Sequence, residues 1–468
     1  MPPLAPPARA ARLVERPPTR SERARLSTVI AATFLLRLAS RISFTILGFY
    51  LGQRIASTAA IALVLEAFYL SELVVSLASG GLSDRFGRRF FLLLSPVMAG
   101  CAGVVFFTVA HLLPDSRQIT HGGWAVLIVA VLMGRLLEGA ASGANVPATL
   151  SYLTDVTAGS PRWRTRAVTA FQMATVAGLV VAIPLGGRIS ASLNAWGFSV
   201  VVLIYLIVLI SLALGTRGMK APVNARVRPL LASIFDSLGV LRHRQVATFL
   251  PAWLSINGVL GAWIVLGVLT LAHKHARELH PHQLMYGTFT RTGASLDVGV
   301  IALFFVFGMA GWIWLIGELR RTTVMLVGMV GLGIAMLALA ILNGLADRPR
   351  DLSGGSEVMA VVLLAITLIG VLILSGFTPA ALTQLSAAAE AVTGRSGAVM
   401  GLYSLALAIG QLAGSAIAGV FVDRFGFYGL VLFSAILGVL CVVSVLTVRR
   451  RGDDLIPATG PGVMPTSP

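Results

Sequence analysis

Charged residues are scarce in this sequence, and their scarcity excludes an ordinary soluble protein. Asp, Glu, Lys and Arg make up 12% of its 468 residues, whereas soluble domains contain about 25%. Hydrophobic residues make up 56% of the chain, and the mean hydropathy is +0.87. The sequence contains 2 cysteines, Cys101 and Cys441, both inside apolar runs, so we expect no disulfide framework.

Acidic residues are the rarer charged class, with 19 Asp and Glu against 36 Lys and Arg and a net charge of +17. In a soluble protein this excess would suggest nucleic acid as a partner. Here the basic residues fall between apolar runs, which is the pattern that orients membrane proteins. We therefore predict a lipid bilayer and no nucleic acid as a partner. The sequence shows no P-loop, nucleophile–base pair or metal-binding constellation, so we predict no ATP-driven transport, no enzyme activity, no cofactor and no metal.

Twelve apolar runs reach the roughly 20 residues that a helix needs to cross a membrane. The runs cover residues 27–50, 57–79, 90–113, 124–150, 167–190, 196–216, 246–272, 297–318, 323–344, 358–386, 398–421 and 427–448. The predicted fold class is an all-α polytopic membrane protein with 12 transmembrane helices in two pseudo-symmetric six-helix bundles. The predicted units are a disordered tail 1–26, bundles 27–216 and 246–448, a linker 217–245 with an amphipathic helix, and a tail 449–468.

The distribution of positive charge predicts the orientation of the chain. Most Lys and Arg residues fall in the two tails and in the loops on the same side as the tails. Positively charged loops stay in the cytoplasm. We therefore predict an integral protein of the cell (inner) membrane with both termini cytoplasmic.

An internal repeat relates the two halves at an offset of 232 residues. Pro147-Ala-Thr-Leu-Ser-Tyr-Leu-Thr matches Pro379-Ala-Ala-Leu-Thr-Gln-Leu-Ser without gaps. The same offset pairs Gly178 with Gly410, Gly187 with Gly419 and Gly197 with Gly429. Parallel repeats of this kind predict a substrate site near mid-membrane, where the halves meet.

A short polar turn joins the second and third runs and reads Gly80-Gly-Leu-Ser-Asp84-Arg85-Phe-Gly87-Arg88-Arg89. It resembles the loop between helices 2 and 3 of the major facilitator superfamily of secondary transporters. The resemblance implies two bundles that open a central cavity to alternate sides. It also implies that the turn holds the inner gate shut, through Gly80, Asp84, Arg85, Gly87, Arg88 and Arg89. Alternatively, the arginines only enforce topology.

Six ionisable residues are predicted inside the runs, all in the first half: Arg37, Arg41, Glu66, Glu72, Arg135 and Glu138. At 1.5 Å per residue, Arg41 and Glu66 both lie about 13 Å from the first loop, and Arg37 and Glu72 lie at about 20 to 22 Å. We therefore predict the pairs Arg41–Glu66 and Arg37–Glu72. Two interpretations remain open: a static cluster that fixes helix packing, or a network in which a glutamate takes up and releases a proton.

Two helix motifs add to the resemblance. Arg135-Leu-Leu-Glu138-Gly139-Ala-Ala-Ser-Gly143 is similar to a motif of the family's fourth helix, whose arginine is implicated in proton transfer. Pro184, Gly186 and Gly187 partly match the fifth-helix motif of drug:proton antiporters, which implies export. A plain helix kink at Pro184 is the alternative.

Polar and aromatic residues on the helices that line the family's cavity are substrate-site candidates: Phe171, Gln172, Trp253, Asn257, Tyr403 and Gln411. Four histidines crowd the loop after the seventh run: His273, His275, His280 and His282. A solvated loop is the simple interpretation of the histidines, and metal binding or pH sensing is the other.

The predicted function is alternating-access transport of a small molecule by a monomer, as proton-coupled efflux of a drug-like or amphipathic metabolite. One alternative is an importer of a metabolite or anion, working as a symporter or uniporter. From another class, the alternative is a non-transporting receptor or scaffold derived from a transporter.

Overall fold

The computed structural model describes residues 18–113, 121–157, 160–217, 244–272, 280–315, 319–345, 355–391 and 396–452. The first six α-helices are α1 (Arg20–Gly52), α2 (Thr58–Phe86), α3 (Arg88–Leu112), α4 (His121–Val156), α5 (Pro161–Leu193) and α6 (Gly197–Gly215). The others are α7 (Arg244–Ala272), α8 (Arg291–Leu315), α9 (Arg321–Asn343), α10 (Gly355–Leu374), α11 (Phe377–Ala391), α12 (Ser396–Phe425) and α13 (Phe427–Arg450). These described residues contain no strand.

The described helices have the length and composition to cross a membrane. Eleven segments meet both conditions, and one of them, Arg166–Gly215, is 50 residues long and contains most of α5 and all of α6. Another, Ser356–Gln384, contains α10 and part of α11. Counting α5 and α6 separately gives twelve crossings, so the predicted all-α polytopic fold is confirmed. Helices suit hydrocarbon because they satisfy every backbone amide within one segment.

The first helix begins earlier than predicted. α1 starts at Arg20 rather than near residue 27, because Thr19 and Glu22 form a capping box. The Glu22 amide donates to Thr19 Oγ1 at 3.3 Å, and the Thr19 amide donates to the Glu22 carboxylate at 2.7 Å. The end of the predicted disordered tail is therefore helical, while residues 1–17 lie outside the described residues.

The tenth predicted run forms two helices instead of one. α10 and α11 are separated at Ser375 and Gly376, where the ring of Trp312 fills the space beside the glycine. A Cβ atom added to Gly376 would lie 2.6 Å from that ring. The Trp312 indole and the Ser375 hydroxyl donate to the Leu372 carbonyl at 3.0 and 2.7 Å. These bonds satisfy a carbonyl that the break removes from the helix ladder.

The two bundles are joined by the helix pairs α2–α12 and α5–α8. We call the end of the molecule where α1 and α7 start the basal end, and the opposite end the distal end. At the distal end, the Asp423 carboxylate of α12 caps α2 of the other bundle. It accepts from the Thr58 amide at 2.7 Å, from the Ser57 hydroxyl at 2.8 Å and from the Thr58 hydroxyl. A carboxylate is well placed there because a helix N-terminus carries partial positive charge.

We call the α2–α12 and α5–α8 contacts the two seams between the bundles. The α5–α8 seam is also closed at the distal end. Arg291 at the start of α8 donates to the Ser190 carbonyl of α5 at 2.9 Å and to Asn194 Oδ1 at 3.1 Å. Together, the contacts of Asp423 and Arg291 hold the distal ends of the bundles against each other.

The sequence repeat is visible in the packing of the seams. Gly187 of α5 lies against Ser295 of α8, and Gly419 of α12 lies against Ala59 of α2. Added Cβ atoms would approach these neighbours to 2.1 and 2.4 Å respectively. The two glycines are equivalent in the repeat, so each seam has a glycine at the equivalent position, where the two helices are in close contact. The bundles are pseudo-symmetric in contacts as well as in sequence.

Asp423→Ala should weaken the closure of the distal end. The substitution removes a cap on α2, and losing such a cap costs about 0.5–2 kcal/mol. Spin labels at Ala60 and Arg424 should then report a larger population of long distances by pulsed electron resonance. Asp297→Ala is the control, since it removes an exposed aspartate from α8. An unchanged distance distribution in the Asp423 variant would mean that the cap does not hold the seam.

Candidate functional site

The six predicted ionisable residues lie on α1, α2 and α4, and small residues bring α2 and α4 together. Gly139 and Gly143 of α4 face the backbone of α2. Added Cβ atoms there would lie 2.0 Å from the Phe68 carbonyl oxygen and 2.5 Å from the Glu72 carbonyl oxygen. Helices in a membrane can approach this closely only through such small residues.

Arg37 and Glu72 form an ion pair, at the level where the depth estimate placed them. Both Nη atoms of Arg37 lie 3.4 Å from Glu72 Oε1, and the Ser142 hydroxyl of α4 donates to the same oxygen. The side chains are 16% and 21% exposed, so this pair is only partly buried.

Arg135 and Glu138 form a fully buried pair with donors on both carboxylate oxygens. Arg135 is 1% exposed; its Nε donates to the Leu65 carbonyl at 2.9 Å, and its Nη1 donates to Glu138. The Tyr205 hydroxyl of α6 donates to the other Glu138 oxygen at 2.9 Å. Sequence reasoning missed Tyr205, which stands alone in an apolar run. A buried ion pair satisfied in this way suits a static packing role.

Arg41 lies near enough to Glu66 to act on it electrostatically, as predicted for neighbours, but it makes no hydrogen bond to Glu66. Its Nη2 donates instead to the Tyr69 hydroxyl at 2.7 Å, and its guanidinium lies 5.5 Å from the centroid of the Phe44 ring. Glu66 and Tyr69 lie about one helical turn apart on α2. The depth estimate gave the correct level along the helices but could not give the direction in which each side chain points.

Glu66 is the least satisfied charged group of the cluster. Glu66 is 1% exposed, and neither of its carboxylate oxygens has a hydrogen-bond partner among the described residues. The guanidinium groups of Arg41 and Arg135 and the carboxyl of Glu72 act on it electrostatically. Burying a carboxylate without donors is costly, so Glu66 depends on the field of its two arginines.

Arg41 also borders a crevice between the bundles. Phe44 and Phe49 of α1 line this crevice from one side, and Val265 and Leu269 of α7 line it from the other. The free volume is about 20 Å³, which is room for roughly one water. Tyr69 belongs to a small buried cluster that also contains Phe68 and Ala408 of α12. Both partners of the Arg41–Tyr69 bond therefore lie where the first bundle meets the second.

Two described charged residues that lie inside the predicted runs were missed by the prediction, which placed all six such charges in the first half. Arg188 lies in α5 and Asp297 lies in α8, and both are exposed. Each lies within about two turns of a helix end, where a charged side chain can reach the polar boundary. They are separate from the buried cluster.

The predicted gating turn is only partly described. The α2 backbone is helical through Phe86, and α3 starts after Gly87, whose φ of 91° is accessible to glycine but strained for other residues. Arg88 donates to the Ser151 carbonyl at 2.9 Å and pairs with Asp155, and Arg89 donates to the Ala213 carbonyl at 3.4 Å. The side chains of Asp84 and Arg85, and the surroundings of Gly80, are not among the described parts of the structure.

The predicted helix-5 motif lies on the α5–α8 seam. Pro184 packs beside Gly299, where an added Cβ would lie 3.1 Å from the proline ring. Gly187 faces Ser295 of α8, and Gly186 faces Thr45 of α1 with an added Cβ at 2.8 Å. α5 continues through all three motif residues.

Most of the candidate cavity residues are packed in this conformation. Phe171 is 2% exposed within a cluster of α1, α4 and α5, and Trp253 is 3% exposed in the main core. Asn257 donates to the Trp253 carbonyl at 2.8 Å, Gln411 is buried against Gly261, and Gln172 is exposed. The Tyr403 side chain lies outside the described residues.

The histidine-rich loop shows no metal site in its described part. His280 packs edge-on against Tyr286 at 5.5 Å, His282 is exposed, and His273 and His275 lie outside the described residues. In the described ranges, no three His, Cys, Asp or Glu side chains are placed to hold a metal ion.

Comparison with known proteins decides the family. The sequence model of the Major Facilitator Superfamily matches residues 29–393, which is most of the chain. The chain belongs to the major facilitator superfamily. It is therefore an integral membrane protein with the fold of a transporter, and members of this superfamily are in general not enzymes. No curated protein matches the sequence closely enough to add a specific relative.

Solved structures of the superfamily share the fold at low identity. The nucleoside transporter NupG matches with a TM-score of 0.65 at 13% identity, covering 91% of this chain and 98% of that one. A D-xylose-proton symporter matches at 0.60 and 16% identity, covering 90% and 96%. A bacterial homologue of the human lysosomal transporter Spinster, in an inward-facing and unoccupied conformation, matches at 0.65 and 16%, covering 94% and 100%.

The close α2–α4 contact can be tested with two glycine substitutions. Gly139→Ala should lower the thermal unfolding midpoint in detergent by several degrees, because its Cβ has no space beside the Phe68 carbonyl. Gly333→Ala of α9 is the matched control, since a Cβ there meets no atom within 4 Å. The control should be neutral or stabilising, by up to about 1 kcal/mol from helix propensity. Equal effects of the two substitutions would contradict the close packing of α2 on α4.

Proposed function

We propose that this protein is a proton-coupled exporter of a drug-like or amphipathic metabolite, in which Glu66 carries the proton. The observation that supports this role is the lack of any described hydrogen-bond donor to either Glu66 oxygen, although the residue is 1% exposed. Ionisable residues within membrane helices mark ion and substrate pathways unless a static pairing explains them. Such a pairing explains Glu138, but not Glu66.

Arg41 is the group that links the proton to the movement of the bundles. It bonds to Tyr69, and this bond lies against helices of the second bundle. Rocking of the bundles would change the position of Arg41 relative to Glu66. A cation that approaches a carboxyl favours release of its proton, and a cation that withdraws favours uptake.

The character of the crevice favours an apolar or amphipathic substrate. Apart from Arg41 and Thr45, the side chains that line it are aliphatic or aromatic. The helix-5 motif, which resembles that of drug:proton antiporters, lies on the adjacent α5–α8 seam. These two features favour export. Import remains the second candidate, since one structure with the same fold is a D-xylose-proton symporter.

The gating role of the 80–89 turn extends the pattern seen at Asp423. Both Asp84 and Asp423 begin the sequence Asp-Arg-Phe-Gly, and in both places the glycine has a positive φ between two helices. Asp423 caps α2 at the distal end, whereas Asp84 stands near the basal end of α2. In our proposal the two turns hold opposite ends of the α2–α12 pair in alternate states, and the basal end lies on the cytoplasmic side of the cell membrane.

The test uses inverted membrane vesicles with an imposed pH gradient and the fluorescent cation ethidium as the probe. The wild-type protein should accumulate ethidium only when the gradient is present. Glu66→Gln should abolish this accumulation, because the amide cannot carry the proton, but it should retain downhill ethidium flux as evidence of folding. Glu138→Gln is the matched control and should keep gradient-driven accumulation.

Three results would contradict the proposal. Ethidium accumulation could be independent of the pH gradient. It could persist in the Glu66→Gln variant, or it could be lost only in the Glu138→Gln variant. Gradient-driven uptake in right-side-out vesicles and not in inverted ones would favour the importer.

A further inference from the structure

An open groove of about 710 Å³ lies between α7 and α13 at the basal end, away from the charge cluster of the first bundle. Arg244, at the start of α7, and Arg451, directly after α13, border its basal mouth. The Arg451 guanidinium donates to the Thr248 hydroxyl at 2.7 Å, and that hydroxyl donates to the Arg244 carbonyl at 2.8 Å. The Thr248 hydroxyl therefore ties the Arg451 guanidinium to the first turn of α7, and both arginines line the same end of the groove.

The groove changes character along its length. From the arginines it passes the hydroxyls of Thr248 and Thr447 and reaches Pro251, Val443 and Leu440. Val443 is 57% exposed and Leu440 is 52% exposed, as expected of side chains in contact with lipid. Leu440 lies eleven residues from Arg451, which is about 16 Å along a helix. The groove is therefore as long as half of the roughly 30 Å hydrocarbon layer.

The charges of the groove favour an anion. None of the described residues that line it is acidic, and Arg449 and Arg450 lie in the last turn of α13 beside Arg451. Basic pockets between membrane helices at the cytoplasmic face bind anionic lipid headgroups. A groove with a cationic end, hydroxyls next to it and an apolar floor matches a phospholipid in shape and polarity.

We propose that the groove between α7 and α13 is a binding site for an anionic phospholipid of the basal leaflet. Arg244 and Arg451 hold the phosphate-bearing headgroup. The acyl chains lie on Pro251, Val443 and Leu440. The site lies entirely within the second bundle and is independent of the proposed role of Glu66.

The test is a titration of the purified full-length protein in detergent with phosphatidylglycerol, or with phosphatidylcholine of the same acyl chains, followed by native mass spectrometry. Phosphatidylglycerol should bind more tightly. Arg244→Gln with Arg451→Gln should lower its affinity about 30-fold, the contribution of two basic side chains at a lipid surface. The matched control, Arg320→Gln with Arg321→Gln, removes the same charge from the start of α9 and should change little.

A second variant tests the apolar floor. Ala247→Trp fills the groove without a change in charge and should weaken the binding of both lipids, whereas Leu337→Trp on the exposed face of α9 should not. Equal affinities for the two lipids, or equal losses in the two arginine double variants, would overturn the proposal. So would phosphatidylglycerol binding that inorganic phosphate displaces and Ala247→Trp leaves unchanged, because the site would then bind a free anion. If binding appears only after removal of residues 453–468, that segment occupies the groove instead.

Discussion

The structure of the first bundle depends on how it compensates charge inside a low-dielectric medium. Three arginines and three glutamates lie on α1, α2 and α4, and the close packing of these helices brings the six side chains together. Gly139 and Gly143 let α4 approach α2 so that Arg135 reaches the Leu65 carbonyl. Tyr205 of α6 completes the donors to Glu138. One carboxyl, Glu66, remains without a donor in the described structure, and it is compensated only through space.

The lack of a hydrogen-bond donor at Glu66 connects the charge cluster to the movement of the two bundles. The bundles are in contact along α2–α12 and α5–α8, and both seams are closed distally, by Asp423 and by Arg291. Arg41 lies beside the crevice and donates to Tyr69, which shares a buried cluster with Ala408 of α12. A movement that opens the distal seams must change the surroundings of Arg41. In our account, the same movement changes the proton affinity of Glu66, because that affinity depends on nearby positive charge.

Sequence patterns predicted the architecture because membrane helices and repeats leave long signals. The lengths of the apolar runs predicted the number of membrane-spanning helices. The equivalent glycines of the repeat, Gly187 and Gly419, lie at equivalent contacts between the bundles. Depth along the helices placed Arg37 level with Glu72 and Arg41 level with Glu66. Rotation about a helix axis leaves no such signal, so the hydrogen bond from Arg41 to Tyr69 was not predicted. Tyr205 and the Trp312 ring beside Gly376 act through contacts between helices distant in sequence. The start of α1 could have been read from Thr19 and Glu22, whose spacing is that of a capping box.

Chemical labelling can show which carboxyl holds a proton inside the intact protein. A hydrophobic carbodiimide modifies protonated carboxyls in apolar surroundings, and peptide mapping by mass spectrometry then locates the adduct. In proteoliposomes, we expect modification at Glu66 that decreases as the pH rises. We expect Glu138 to stay unmodified, because its oxygens accept hydrogen bonds from Arg135 and Tyr205. Modification of Glu138 or Glu72 while Glu66 stays unmodified at every pH would contradict the proposed role of Glu66.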